Sequence, residues 1–375
     1  MSVTLAGLGT AAPERDASQE ALAASAIERC CDTPAERRLL PNYYRRTTVE
    51  RRGSVLLAEG NGHTGSELDD AYPTPSHARD RGPDVEQRMR QYLDKAPPLA
   101  ARAARAALDD AGFEPAAIDQ LVVVTCTGFA SPGVEFELID RLGLRPDIGR
   151  TQVGFMGCHG AINGLRVAHG LTLAEPGSTA LVVCVELCTL HFQYGWDPQR
   201  VLANALFADG SAAAVLRSDA AEADPIKPGP SGIRLLDTAS IRLPDSAHDM
   251  TWRIEQNGFA MTLSSRVPEV IRHHARPWIE KWLERHAMST RDVAGWAIHP
   301  GGPRVIAATE EALNLPEGSG DLSRRILRTR GNMSSPTVLF VFRELLNARV
   351  RGPVVLLAFG PGLVAEAALL DEREG

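Results

Sequence analysis

A single offset constrains this chain more than any other feature of its sequence. The β-branched run Leu121-Val122-Val123-Val124-Thr125 ends 174 residues before His299, which closes the similar run Trp296-Ala297-Ile298. The same offset carries Leu181-Val182-Val183 onto Val355-Leu356-Leu357, and Gly157-Cys158 onto Gly331-Asn332. Three features in register predict two copies of one strand–helix–strand unit. The halves meet around residues 218–232, a stretch rich in Ser, Asp, Pro and Gly. Equivalent positions are then related by a pseudo-twofold axis, which brings Cys158, His299 and Asn332 to strand or helix ends near the seam.

The rest of the chain fits an α/β protein. An apolar strand opens it at Val3–Leu8, and helical patterns cover Gln19–Cys31, Ala161–Leu173 and Thr337–Leu346. A long amphipathic helix is expected from Asp84 to Ala111, interrupted at Pro97-Pro98. Residues 53–85 read as loop. The 375 residues carry 40 basic and 47 acidic side chains, a net charge of -7, so there is no electrostatic footprint for nucleic acid. No run is apolar enough for a membrane span, and no signal segment opens the chain. Six cysteines without framework spacing predict reduced thiols in a cytoplasm.

Three short motifs carry the chemistry. Gly154-Phe155-Met156-Gly157-Cys158-His159-Gly160 is a tight turn entering a helix, and small neighbours let a substrate approach the sulfur. A thiol at a helix N-terminus meets the positive end of the dipole, which favours a thiolate nucleophile. A buried structural cysteine in a strand-to-helix turn is the alternative. His299-Pro300-Gly301-Gly302-Pro303 stops a strand abruptly at its C-terminal end, where open sheets place ligands. A strand-capping histidine is the alternative there. Gly331-Asn332-Met333-Ser334-Ser335-Pro336 opens a helix, either as a plain cap or as a site.

Together these motifs resemble the Cys-His-Asn site of type III polyketide synthases, the chalcone and stilbene synthase family, in a bacterial-type member. Gly143-Leu144-Arg145-Pro146, Ala205-Leu206-Phe207-Ala208-Asp209-Gly210 and Phe359-Gly360-Pro361-Gly362-Leu363 add to the likeness, which fades between residues 53 and 85. The resemblance implies a thiolase fold, a duplicated five-layered αβαβα architecture. Residues 1–220 would carry the nucleophile and residues 221–375 the His and Asn. It further implies a homodimer that condenses malonyl-CoA onto an acyl-CoA starter, with CoA thioesters as substrates and no tightly bound cofactor or metal. Cys158, His299 and Asn332 take the catalytic roles. Cys126, Thr127, Cys188, Leu190, His191 and Phe207 match cavity positions. Met261 (or nearby Phe259), Ser334, Phe359, Gly360 and Pro361 complete that cavity. Arg46 matches a CoA-binding basic position, whereas Arg45, Arg51 and Arg52 read as solvated surface. His159 stands where plant members carry Phe.

Two other functions use the same residues: a ketoacyl synthase III-like enzyme making a single condensation, and a non-catalytic scaffold of the same fold. Two lookalikes are set aside. Gly7-Leu8-Gly9-Thr10-Ala11-Ala12 imitates a dinucleotide fingerprint without its helix or acidic partner. Cys184, Cys188 and His191 imitate a metal cluster, but Cys184 sits inside an apolar strand.

Overall fold

The computed structural model describes residues 2–57, 72–77, 79–219 and 232–372. The strands in chain order are β1 (Val3–Ala11), β2 (Asp16–Ser18), β3 (Arg51–Gly53), β4 (Gln120–Thr125), β5 (Gly149–Gly154), β6 (Thr179–Leu187) and β7 (Asp209–Ser218). They continue with β8 (Ile233–Arg242), β9 (Met250–Glu255), β10 (Gly258–Leu263), β11 (Gly295–Ile298), β12 (Val354–Gly360) and β13 (Val364–Glu372). The helices are α1 (Gln19–Cys30), α2 (Pro34–Arg46), α3 (Val85–Ala111), α4 (Val134–Leu142) and α5 (Gly160–Ala174). After them come α6 (Pro198–Leu206), α7 (Val267–Glu284), α8 (Pro303–Leu313), α9 (Asp321–Arg330) and α10 (Thr337–Asn347).

Nine strands form one hydrogen-bonded sheet in the order β11-β12-β13-β8-β1-β7-β6-β4-β5. Its midpoint is the antiparallel pairing of β1 with β8, where Val3 faces Leu235 and Leu5 faces Ile233. Outward from that line the halves mirror each other: β7-β6-β4 on one side, β13-β12-β11 on the other. The expected repeat is therefore present, with β4 answering β11, β6 answering β12 and α5 answering α10. It fails at β5, whose counterpart positions fall in α9. Most of the expected junction at 218–232 lies outside the described residues.

Three apolar cores make five layers. Fully buried strands such as β6 and β12 need cover on both faces. One core packs α5 and α10 between inner faces of both half-sheets, through Ile162, Leu165, Val338 and Val341. A second lies under α3 and α4 on the outer face of the first half. The third lies under α7 and α8 on the outer face of the second.

The helix α3 corrects the expected interruption. It runs unbroken through Pro97 and Pro98, from a capping box at Asp84 and Gln87 to a left-handed Gly112. The two prolines leave the carbonyls of Leu93 and Asp94 without helical partners, and both residues are solvent-exposed, so water can serve them. The alanine face meanwhile lies directly on β1. A Cβ at Gly7 would come within 2.3 Å of the Ala107 carbonyl, and one at Gly9 within 2.2 Å of that of Ala103. Those glycines exist for helix–strand packing, which accounts for the false dinucleotide fingerprint.

Candidate active site

The two loops that carry Cys158 and Asn332 each pass through a positive-φ glycine just before the reactive residue. Gly157 and Gly331, one repeat apart, both sit in the left-handed region at φ 77° and 74°. A Cβ on Gly157 would press to 2.5 Å from Cδ of Pro361, and one on Gly331 to 3.0 Å from Cβ of Ala208. Phe155, also left-handed at φ 61°, winds the chain into the tight turn Gly157–His159 that starts α5. Asn332 is pinned by its own backbone. Its N–H donates to Leu206 at 3.0 Å, and its carbonyl accepts from Ala208 at 2.8 Å.

Around the Cys158 sulfur the second half supplies polar groups. Ser334 and Asn332 stand close enough to the thiol to favour its thiolate form. The Ser334 hydroxyl also lies 3.4 Å from the Cys126 sulfur, and the Ser334 N–H donates to Asn332 Oδ1 at 2.8 Å. Burial decides the charge state. It pushes the Cys158 thiol up to about 12, against the opposing pull of Ser334 and Asn332. The thiolate expected from the helix dipole is therefore not the resting form, because desolvation outweighs the dipole. His299 responds in the complementary sense. Burial, reinforced by His159, pushes its imidazole down to about 3. It is fully buried, and among the described residues neither ring nitrogen has a hydrogen-bond partner.

One wall beside this site is rigid. His191 Nε2–H donates to the Thr127 carbonyl at 2.7 Å, and Nδ1 accepts from the Phe259 N–H at 3.0 Å. Its ring stacks on Phe259 at 4.1 Å and meets Trp252 edge-on, while Trp252 Nε1–H donates to the Cys126 carbonyl at 2.7 Å. Arg88, buried on α3, donates to the carbonyls of Leu190 and Phe192 on either side of His191. A crevice lined by Cys188, His191, Phe207, Trp252, Phe259 and Met261 runs from here toward Arg29 and Ser25 on α1. Cys158 packs with Cys188, Phe207 and Met261 at its inner end.

Not every expected cavity residue lies on that crevice. Thr127 is fully buried, its hydroxyl donating to Glu186 at 2.7 Å and accepting from the Leu187 N–H. Leu190 belongs to the outer core of the first half, and Phe359 to that of the second. Gly360 and Pro361 lie beneath the Cys158 turn. Arg46 is exposed and lines a separate cavity with Arg304, Tyr43 and the loop Gly301–Pro303. Arg52 is a correction. Instead of being solvated it is buried, donating to Gln19 Oε1 and the Phe207 carbonyl, because the 51–53 strand tucks against the crevice. Arg51 does pair at the surface, with Asp16.

Sequence reasoning missed Trp252 and Glu186. Glu186 is fully buried and accepts from the Cys126 N–H at 2.9 Å and from the hydroxyls of Thr127 and Ser335 at 2.7 and 2.6 Å. A lone acid inside the run Leu181–Leu187 was the available signal. Trp252 offered none, since its strand alternates like any exposed hairpin.

Family models for chalcone and stilbene synthases match residues 2–220 (N-terminal domain) and 235–372 (C-terminal domain). The chain belongs to the chalcone and stilbene synthase family. As a type III polyketide synthase it is an acyltransferase-type condensing enzyme. It is 34% identical over 370 residues to 1,3,6,8-tetrahydroxynaphthalene synthase of Streptomyces peucetius subsp. caesius, covering 98% of this chain and 92% of that protein. It is 31% identical to the alpha-pyrone synthesis polyketide synthase-like Pks18 of Mycobacterium tuberculosis, covering 97% and 90%. The crystal structure of PKS-I from the brown alga Ectocarpus siliculosus superposes with a TM-score of 0.89 at 29% identity, covering 99% and 98%.

Proposed function

We propose that this synthase loads an acyl-CoA starter on Cys158 and extends it with malonyl-CoA, two carbons per round, before the chain cyclises. The observation that carries this reading is His299. It is a fully buried imidazole with both nitrogens unpartnered among the described residues, at the end of β11, and the neighbouring β12 runs into Pro361 beneath the Cys158 turn. An unmet buried polar group is costly and calls for a transient partner.

Both members of the Cys158–His299 pair rest in their neutral forms, so charge forms only as the reaction proceeds. The Cys158 proton passes to His299 while sulfur attacks the starter carbonyl, and the imidazolium returns that proton to the leaving CoA sulfur. Malonyl-CoA then breaks its carbon–carboxylate bond and releases carbon dioxide. His299 and the Asn332 amide donate to the enolate oxygen so formed, and the enolate carbon attacks the Cys158 thioester and expels the thiolate, which takes a proton from solvent to regain the resting thiol. Residues 1–220 supply the nucleophile and residues 221–375 the two donors, a division in keeping with the two family domains. Arg46 at the rim of the neighbouring cavity suits the phosphates of CoA.

A homodimer is part of the proposal. The outer edge of β5 pairs with no other described strand, and Phe129, Phe136 and Met156 are exposed. Such an edge is ordinarily covered. Light scattering giving twice the chain mass supports the dimer, and a monomer overturns it. Six free thiols suit a cytoplasmic setting. The reaction itself is tested by product mass spectrometry with malonyl-CoA and a panel of acyl-CoA starters. Products extended by several two-carbon units are expected. A single extension drawn from carrier-protein-bound malonate would place the enzyme with ketoacyl synthase III instead.

A further inference from the structure

The residue that follows the nucleophile has no role in the chemistry above, yet it heads a polar stripe through an apolar layer. His159, Asn163 and Arg166 are spaced by four and three residues along the start of α5 and share one face. That face meets the second half. His159 Nδ1 lies 2.7 Å from Asn163 Oδ1, and Asn163 Nδ2 donates to Glu366 Oε1 on β13 at 3.1 Å. Glu366, itself buried, also accepts from Ser240 Oγ at 2.7 Å and pairs with Arg166. Arg166 reaches on to Thr238 Oγ1 and the Ala239 carbonyl on β8.

The opposite helix shows that the fold does not need this polarity. One repeat later the same positions are Met333, Thr337 and Phe340. Met333 and Phe340 belong to the central core, and among the described residues the Thr337 hydroxyl bonds only its own turn, at the Met333 N–H and the Ser334 carbonyl. A stripe with no polar link across the layer therefore occupies the equivalent seam. Buried polar groups cost stability unless bonded, and what such a network adds is one defined arrangement.

A single hydrogen bond sets the tautomer of the imidazole. Because the Asn163 amide nitrogen donates to Glu366, its oxygen faces His159, which must carry its proton on Nδ1. The other edge of the ring rests against the end of β12, where a Cβ on Gly360 would stand 2.3 Å from His159 Cδ2. The strand β12 also holds His299, whose N–H donates to the Leu357 carbonyl at 2.8 Å.

We propose that His159 is a positioning residue. Tied through Asn163 to Glu366, it seats the turn bearing Cys158 on the end of β12 and so aligns the thiol with the imidazole of His299. This rests on the reading of Cys158 and His299 given above.

The test is the rate at which iodoacetamide alkylates Cys158 in the full-length enzyme, followed by peptide mapping, with kcat and KM measured alongside. His159→Phe keeps a flat ring on Gly360 but removes the donor. It is expected to slow alkylation about tenfold, to lower kcat with little change in KM, and to leave the melting temperature within a few degrees. His159→Asn, whose amide nitrogen can stand near the place of Nδ1, is expected to recover most of the rate. In a His299→Gln background, His159→Phe is expected to have no further effect, because it acts through His299. Should His159→Phe fold poorly, Asn163→Leu cuts the same relay and is expected to slow alkylation alike. Wild-type alkylation in His159→Phe, or equal slowing with and without His299, overturns the proposal. If wild type reacts no faster than His299→Gln, the pairing of Cys158 with His299 falls and the positioning role with it.

Discussion

His191 and His299 are both buried and both have imidazoles pushed down to about 3 by desolvation, yet they are held in opposite ways. Every polar atom of the His191 ring is bonded, and the ring is clamped between Phe259 and Trp252. His299 has no partner at either nitrogen among the described residues. Burial and a displaced pKa therefore do not distinguish structure from chemistry here. The two rings differ in their hydrogen bonding: the satisfied His191 builds a wall, whereas both nitrogens of His299 are free to meet a reacting atom.

The sharpest way to break that contrast is to remove the group His299 is meant to serve. Cys158→Ala is expected to abolish turnover, with loss of at least about 10⁴-fold in kcat, while the circular dichroism spectrum is unchanged. Retained condensation at a measurable rate would remove the nucleophile from the account. Next comes His299→Gln, expected to lower kcat roughly 10²- to 10³-fold with little change in stability, the loss typical of one preorganised donor. Steady-state kinetics and a urea melt on one preparation read both quantities.

His191→Ala should behave in the reverse manner. It strands the Phe259 N–H and the Thr127 carbonyl and leaves a hole under Phe259, so a destabilisation of about 3 kcal/mol is expected in the urea midpoint. The remaining folded enzyme should still load a starter. A His191→Ala protein as stable as wild type would show that the wall is not held as described.

Acid separates the two states of the chain more gently. An unfolded histidine titrates near 6.5 and the folded His299 near 3, so between those values the unfolded chain holds a proton that the folded chain lacks. Stability is fully present above pH 6.5 and falls as the pH drops, by up to about 1.4 kcal/mol per pH unit for each such histidine. Asp209, raised to about 6 by burial, acts in the opposite sense, since it holds a proton in the fold between about 3.8 and 6. The expected outcome is a difference: His299→Gln loses stability less steeply than wild type between pH 6 and 4. Parallel curves would mean that His299 is not held neutral.

Much of this arrangement was legible in the chain itself. The 174-residue offset placed the halves, and the positive φ of Gly157 and Gly331 shows why both glycines are needed, one before each reactive residue. What escaped reading depended on burial supplied from elsewhere. The dipole argument for Cys158 was sound locally but lost to desolvation by the second half. Pro97 and Pro98 look like helix breakers until the alanine face of α3 is set on β1. Arg52 looks like surface until its strand is seen folded inward, and Trp252 sits in a hairpin whose placement on the cavity is purely tertiary.

The nucleophile is revealed most directly by where an acyl group is held. Enzyme incubated with a starter acyl-CoA alone, then digested and mapped by mass spectrometry, is expected to carry the acyl mass on the peptide containing Cys158. That adduct should form slowly in His299→Gln and at the normal rate in His273→Asn, a change on the exposed face of α7. Acylation of Cys126 or Cys188 instead, or equal rates in all three proteins, would contradict it.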